Sequence, residues 1–287
     1  MIELKNLNFI KLNRDGAKIL VDWAASEGWN PGKDDFDVFW KTDPDGFYGF
    51  YFDDQLIAGG TIISYNDEYG FMGLFIVHPD YRGIGIGKKL WHLRKNLLIK
   101  RLKNGATIGM DGVIEMQPFY EKGGFHIAFR DERYECVGQN ALISNSISTI
   151  QLNDFDNILH YDIKCFGFKR LAFLKNWLNI PNSKSFKYME SSNLKGYAVI
   201  RKVHSGYKIG PLFADNTEIA EELFKACLKN AIGKLVYIDI PVINKGAVNL
   251  VKKYNAKYIF ECARMYYGQN PKTATDKVYG ITTFELG

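Results

Sequence analysis

The stretch that most constrains the fold of this chain spans residues 71–94 and reads FMGLFIVHPDYRGIGIGKKLWHLR. An apolar run at 74–77 predicts a buried strand that ends before Pro79, and three glycines then lead into an apolar-periodic segment that predicts a helix. Glycines let the backbone approach a ligand closely, and the first N–H groups of a helix have no partner within it. Strand, glycine turn and helix together predict a site for a phosphate or pyrophosphate.

The spacing of these glycines excludes two common phosphate-binding loops. A dinucleotide fingerprint G-x-G-x-x-G that starts at Gly83 and Gly85 would need a third glycine where Lys88 stands. A Walker A loop would need glycine in place of Arg82 and serine or threonine in place of Lys89. The remaining pattern is R-x-x-G-x-G. A glycine-rich turn that binds no ligand is the alternative for a pattern of this length.

The pattern V-x-P-x-x-R followed by R-x-x-G-x-G resembles the acetyl-CoA signature of the GNAT N-acetyltransferases. The resemblance implies a donor loop that binds the pyrophosphate of CoA through backbone amides, formed by Arg82, Gly83, Ile84, Gly85, Ile86 and Gly87. Lys88 follows at the start of the helix, where a cation is easiest to explain if an anion is bound there. The apolar periodicity places Arg94 on the outer face of this helix. The resemblance also implies that the backbone amides of Ile76 and Val77 hold the pantetheine arm and the thioester carbonyl.

A second motif, Y-x-x-x-G-F at Tyr120, Gly124 and Phe125, matches the last GNAT motif in order and spacing. The acceptor amine must be neutral to attack the thioester, and the departing thiolate of CoA leaves best when it is protonated. The resemblance implies that Tyr120 is this acid. A phenol with an ordinary pKa of about 10 is protonated at neutral pH and suits that task. A core aromatic residue is the alternative for Tyr120.

The acceptor site and the general base have weaker signals. The loop between the first two predicted helices overhangs the acceptor site in GNAT proteins, so Glu27 and Trp29 are acceptor-pocket candidates, with a core position as the alternative for Trp29. Glu68 precedes the central strand, and Asp111 is expected to end the next one. Asp111 is the preferred base because a carboxylate beside Gly112 leaves room for a ligand. A turn or cap role for Asp111, or deprotonation through water, is the alternative.

The 287 residues, 46% of them hydrophobic, predict two domains. We place a GNAT acetyltransferase domain at 1–138, a polar linker at 139–148 and a degenerate GNAT-like domain at 149–287. The second half repeats the element order, but residues 214–217 replace the glycine loop and Val251 falls where Tyr120 would be. The apolar patterns also predict a first strand at 3–10 and a helix at 161–179. The segments FGFKR and ARMYYG resemble the second domain of bacterial tandem-GNAT proteins. The expected fold class is α/β (α+β), with two tandem GNAT-like domains, each a mixed, mostly antiparallel sheet flanked by helices.

The resemblance implies an N-acetyltransferase that uses acetyl-CoA and passes the acetyl group to a primary amine by direct attack in a ternary complex. The second domain is expected to close one side of the acceptor cleft, with Asp239 or Arg264 near it. A non-enzymatic protein that binds or senses acyl-CoA is the alternative, and the retained Tyr120 favours the enzyme. A small-molecule amine is preferred over a protein as acceptor, and the chain is expected to be a monomer or homodimer.

Composition excludes several other classes of protein. The 37 basic and 32 acidic residues leave a charge of +5 that is scattered along the chain, which argues against nucleic acid as a partner. No apolar run reaches membrane-spanning length, and the first residues lack the plan of a signal peptide. The four cysteines and five histidines show no metal-ligand spacing. We therefore expect a cytoplasmic protein with no membrane partner and no metal site.

Overall fold

The computed structural model describes residues 3–287, which form thirteen β-strands and eight α-helices. The elements of the first half are β1 (Phe9–Lys11), α1 (Arg14–Ser26), α2 (Asp35–Thr42), β2 (Phe47–Phe52), β3 (Gln55–Tyr65), β4 (Tyr69–Val77), α3 (Ile86–Arg101), β5 (Thr107–Val113), α4 (Gln117–Lys122) and β6 (His126–Val137). Those of the second half are β7 (Ile147–Thr149), α5 (Phe155–Phe166), α6 (Leu171–Trp177), β8 (Ser183–Glu190), β9 (Asn193–Lys202), β10 (Tyr207–Ala214), α7 (Thr217–Lys229), β11 (Leu235–Pro241), α8 (Lys245–Lys253), β12 (Lys257–Tyr267) and β13 (Val278–Gly280).

The strands form one continuous sheet in which the two halves of the chain interleave. The order is β1-β2-β3-β4-β5-β12-β6-β11-β10-β9-β8-β7, and β13 pairs with β10. Strand β12 of the second half therefore lies between β5 and β6 of the first. The pairs β4–β5 and β10–β11 are parallel and the others are antiparallel. The expected mixed, mostly antiparallel sheet with flanking helices is confirmed.

Because the two halves interleave, each of the long strands β6 and β12 pairs with strands of the other half. β6 pairs with β12 on one side and with β11 on the other, and β12 also pairs with β5. Residues 1–138 alone would leave the edge of β5 open, since its partner comes from the other half. The domain boundaries at 138 and 149 stay a prediction about sequence units.

Strands β4 and β5 are paired only at their beginnings. Their parallel ladder runs from Tyr69 opposite Thr107 to Phe71 opposite Gly109, and beyond that point the two strands diverge. β5 continues against β12, while β4 continues against β3. The divergence opens a gap in the middle of the sheet, and a ligand can enter a gap of this kind because no neighbouring strand occupies it.

A bulge in β4 lies beside this gap. Gly73 is opposite Thr61 and Ile76 is opposite Gly59, so two residues of β4 face the single residue Gly60 of β3. Leu74, within the bulge, has a φ of +46°. A bulge of this kind bends a strand and re-aims its backbone groups, and bulges occur often next to active sites.

Three sequence-based elements need correction. The first strand was expected at 3–10, but it begins at Phe9 and a short 3₁₀ turn, Leu4–Asn6, precedes it. The helix expected at 161–179 is two helices, α5 and α6, because Gly167 at φ +96° ends α5. Asp111 lies inside β5 and does not end it.

Within residues 3–287, no helix combines the length and the apolar character that crossing a membrane requires.

Candidate active site

The gap between β4 and β5 widens into a cleft of about 590 Å³. Nine residues singled out from the sequence line it: Glu27, Trp29, Ile76, Val77, Arg82, Gly87, Lys88, Asp111 and Tyr120. Four further lining residues come from the second half of the chain: Phe260, Cys262, Phe284 and Glu285. The cleft is therefore bounded on one side by the donor loop and on another by the second half.

The donor loop has the geometry that a phosphate-binding turn requires. Gly83 and Gly85 have φ values of +79° and +92°, which side chains other than glycine rarely adopt. The first intrahelical bond of α3 runs from the N–H of Lys89 to the carbonyl oxygen of Gly85, at 3.1 Å. The amides of Gly87 and Lys88, which line the cleft, precede that bond and have no acceptor within the helix. These residues fit a pyrophosphate group.

The Arg82 side chain folds back across the strand exit. Its Nε donates to the carbonyl oxygen of Val77 at 2.8 Å, and its Nη2 forms an ion pair with Glu27. Glu27 therefore sits at the donor end of the cleft, beside the loop, although the sequence placed it in the acceptor pocket. The guanidinium is half exposed and stays accessible to an anion.

Behind the bulge of β4 lies Arg94, which the sequence pattern placed on the outer face of α3. It is fully buried, and its Nη2 donates to the carbonyl oxygens of Gly73, at 2.7 Å, and Thr61. Burial lowers the pKa of Arg94 to about 9, which leaves it charged at neutral pH. Arg94 thus ties the bulge to β3, and Ile76 and Val77, which line the cleft, follow the bulge along β4.

Tyr120, on α4, is almost fully buried in the opposite wall. Its ring stacks on Trp91 with centroids 6.1 Å apart, and a Cβ at Gly112 would lie 3.1 Å from that ring. Glycine at 112 therefore lets α4 pack close to β5. Burial raises the pKa of Tyr120 above its ordinary value, and nearby Arg94 offsets part of this effect. The phenol stays protonated at neutral pH and can act as a proton donor.

The Trp29 loop is held in place by β6 and by the second half of the chain. The Trp29 carbonyl oxygen accepts from Arg133 Nη1 at 2.8 Å and from Lys208 Nζ at 3.3 Å. Arg133 also donates to both carboxylate oxygens of Asp239, at 2.6 and 2.8 Å. Burial would raise the pKa of Asp239, but Arg133 outweighs it and holds that pKa below its usual value.

Asp239 and Arg264, expected near the acceptor, lie behind the wall of the cleft. Both oxygens of Asp239 accept hydrogen bonds from Arg133. Arg264 donates to both oxygens of Asp111, at 2.7 and 3.0 Å. Neither side chain lines the cleft. Both act on the cleft through the residues that they hold, and a role of either residue toward the acceptor stays a prediction.

The two candidate bases are placed differently. Asp111 lines the cleft, and burial raises its pKa to about 6 against the opposing effect of Arg264. Glu68 lies in the exposed turn before β4, 3.8 Å from Lys103 Nζ, at the far end of that strand from the donor loop. The structure does not bring Glu68 to the cleft, because β4 runs its full length between them.

The four lining residues of the second half could not be identified from the sequence. Phe260 and Cys262 reach the cleft because β12 pairs with β5, and Cys262 is directly opposite Val113. Phe284 and Glu285 follow β13 in a segment that packs against β4. No local motif marks these positions, since their place depends on strand pairing between distant parts of the chain.

Among residues 3–287, no group of three or more histidine, cysteine, aspartate or glutamate side chains is arranged to hold a metal ion.

Two family models match this chain. Residues 17–125 match the acetyltransferase (GNAT) family, and residues 158–280 match an acetyltransferase (GNAT) domain. A holothin acyltransferase from Pseudoalteromonas sp. (strain SANK 73390) is 31% identical over 272 residues, which cover 94% of this chain and 91% of that protein. An uncharacterized N-acetyltransferase, YitH, from Bacillus subtilis (strain 168) is 23% identical over 240 residues, 81% of each chain.

Solved structures share the fold over almost the whole chain. A putative acetyltransferase from Pyrococcus horikoshii superposes with a TM-score of 0.85 at 22% identity, covering 100% of this chain and 98% of the other. A tandem GNAT protein from the clavulanic acid biosynthesis pathway superposes with a TM-score of 0.65 at 12% identity, covering 93% and 99%. The interleaved sheet is thus a tandem-GNAT arrangement.

Proposed function

Because this chain belongs to the GNAT acyltransferase family and carries two GNAT domains in tandem, we propose that it transfers an acetyl group from acetyl-CoA to a primary amine. The observation that carries this proposal is a single cleft that the donor loop, the diverging strands β4 and β5, and Tyr120 share. Direct attack in a ternary complex needs donor and acceptor in one space, and this cleft offers it.

Each part of the cleft has one task in this proposal. The amides of the donor loop, with Arg82 and Lys88, bind the pyrophosphate of the donor. The cleft-facing backbone of Ile76 and Val77 holds the pantetheine arm and polarises the thioester carbonyl. Tyr120 protonates the sulfur as it leaves.

The second half supplies the acceptor side of the cleft. Phe260 and Phe284 have ring centroids 5.8 Å apart, and the Arg133 guanidinium lies 4.6 and 5.3 Å from the centres of these two rings. Arg133 also holds Trp29, so one buried arginine fixes three aromatic residues that line the cleft. A fixed wall of aromatic side chains favours a small-molecule acceptor over a protein.

The relative that is named a holothin acyltransferase supports acyl transfer as the reaction of this chain.

Asp111 stays a candidate base, but both of its oxygens already accept hydrogen bonds from Arg264. A base in that position would have to work against this ion pair, which favours the charged carboxylate and weakens its affinity for a proton.

Release of CoA from acetyl-CoA, measured with a panel of amines, amino sugars and peptides, tests the proposal. The full-length chain is expected to release CoA with at least one acceptor and to give a product heavier by one acetyl group. Binding of acetyl-CoA without CoA release across the panel would contradict the enzyme and favour an acyl-CoA sensor. Parallel assays with longer acyl-CoA donors show whether acetyl is preferred.

A further inference from the structure

Three carboxylates line the cleft, and one of them has a buried oxygen with no hydrogen-bond partner among residues 3–287. Glu27 pairs with Arg82, and Asp111 accepts from Arg264 with both oxygens. Glu285 is 2% exposed, its Oε2 accepts from the Thr283 hydroxyl, and its Oε1 is buried with no hydrogen-bond partner among residues 3–287. A buried carboxylate oxygen without a donor is costly, so it calls for a ligand that donates a hydrogen bond.

The backbone fixes the position of Glu285. Tyr65 donates to the carbonyl oxygen of Leu286 at 3.0 Å, and the Gly287 amide donates to the carbonyl oxygen of Thr283 at 3.1 Å. Leu286 itself is fully buried in a hydrophobic core to which both halves of the chain contribute. Because the residues on both sides of Glu285 are anchored, its carboxylate is held in one place, as a group that acts on a substrate must be.

Glu285 lies beside the bulge of β4. A Cβ added to Gly73 would overlap the carbonyl oxygen of Glu285, so glycine at 73 permits this close approach. Gly73 begins the bulge and lines the cleft next to the strand that is proposed to hold the thioester. Glu285 therefore lines the cleft beside the strand that is proposed to hold the thioester.

The surroundings of Glu285 are largely apolar. Trp29, Phe260 and Phe284, which we call the aromatic wall, line the cleft with it, together with Met72 and Leu74. The charged groups that act on Glu285 from packed elements are Asp111 on β5, Arg133 on β6 and Lys208 on β10. All three are engaged in other contacts: Asp111 with Arg264, and Arg133 and Lys208 with Trp29.

We propose that Glu285 binds the ammonium group of the acceptor and takes up its proton, and that the acceptor is a primary amine on a flat apolar group packed against the aromatic wall. This inference rests on the proposed acyl transfer. The first proton passes from the ammonium nitrogen to Glu285 Oε1 and frees the lone pair. The N–C bond then forms and the C–S bond breaks. The second nitrogen proton leaves to solvent, Tyr120 protonates the sulfur, and solvent restores both side chains.

Two amines and one isosteric variant test this role. Benzylamine is protonated at neutral pH and aniline is not, so only benzylamine needs the first proton transfer. Glu285→Gln keeps the shape and can still accept from Thr283. We expect it to lower kcat/KM for benzylamine by about 100-fold or more, the usual range for a lost general base. The loss with aniline should be at least tenfold smaller.

Measurements without turnover separate this role from a structural one. Glu285→Gln should weaken binding of benzylammonium about tenfold by calorimetry, about 1.4 kcal/mol, in the absence of acetyl-CoA. Affinity for acetyl-CoA should change less than twofold. Glu261→Gln, on β12 and paired with Arg130, is the matched control and should behave as the wild type in each assay.

Equal losses with both amines, with unchanged benzylammonium binding, would overturn the role of Glu285. Wild-type protein that acetylates polar amines but neither probe would overturn the apolar acceptor and leave the proposed transfer standing. Wild-type protein that releases no CoA with any amine would overturn the proposed transfer itself, and this inference with it.

Discussion

Arg264 on β12 donates one hydrogen bond to each carboxylate oxygen of Asp111 on β5, at 2.7 and 3.0 Å. The two residues are directly opposite each other in the sheet and almost fully buried. One belongs to each half of the chain, and Asp111 lines the cleft. This ion pair therefore joins the second half to the wall of the candidate active site.

Removal of one partner of the Arg264–Asp111 ion pair should destabilise the folded protein. Arg264→Met leaves the Asp111 carboxylate buried and unpaired, and we expect a loss of about 3–5 kcal/mol in the free energy of unfolding. Urea denaturation at pH 7 measures it. Arg130→Met is the matched control, because its pair with Glu261 is partly exposed and should contribute no more than about 1 kcal/mol. Equal losses in the two variants would contradict the structural importance of the Asp111 pair.

Asp131 on β6 should make stability depend on pH. It is fully buried and neither oxygen has a partner among residues 3–287. Burial raises its pKa well above the usual value, and Arg264 offsets only part of this. The unfolded chain ionises this group near pH 4, so the folded state loses stability as pH rises from about 4 toward the raised pKa.

Asp131→Asn removes this loss, so the variant should gain stability over the wild type as pH rises, with a plateau above the folded pKa. Thermal unfolding of both proteins between pH 4 and 8 measures the difference. A stability difference that does not change over this range would show that Asp131 is not a buried, unpartnered acid.

The donor loop can be tested with two matched glycines. Gly83 in the loop and Gly105 before β5 have φ values of +79° and +81°, and neither has a neighbour within reach of an added Cβ. Alanine should cost each of them a similar backbone strain of about 1–2 kcal/mol. Loss of one hydrogen bond from the loop to a charged group costs about 1.5–3 kcal/mol, so only Gly83→Ala should weaken acetyl-CoA binding, by at least about tenfold. Calorimetry that finds equal Kd values for the two variants would remove this loop from the donor site.

The parts of the site that are local in sequence could be predicted from it. The donor loop needs glycine at positive φ and a helix that starts directly after it, and consecutive residues of the sequence determine both features. Tyr120 carries its own short motif. These residues and others expected from the sequence, nine in all, do line one cleft.

The acceptor side could not be predicted, because it is built by non-local pairing. Glu285 and Phe260 reach the cleft only because β12 inserts beside β5 and the segment after β13 packs on Gly73. Arg94 was misplaced because it is charged, and the space that glycine leaves at position 60 accommodates its guanidinium in the interior. Gly167, by contrast, offered a helix-ending signal that the apolar pattern of residues 161–179 obscured.

The kinetics of Tyr120→Phe test the central claim most directly. Tyr120 lines the cleft, whereas Tyr69, the control, is a buried tyrosine of β4 that stacks on Phe168 with centroids 4.3 Å apart, outside the cleft. If Tyr120 protonates the departing sulfur, Tyr120→Phe should lower kcat by more than about tenfold and barely change the affinity for acetyl-CoA, while Tyr69→Phe keeps both values. An unchanged kcat in Tyr120→Phe would remove Tyr120 from the mechanism.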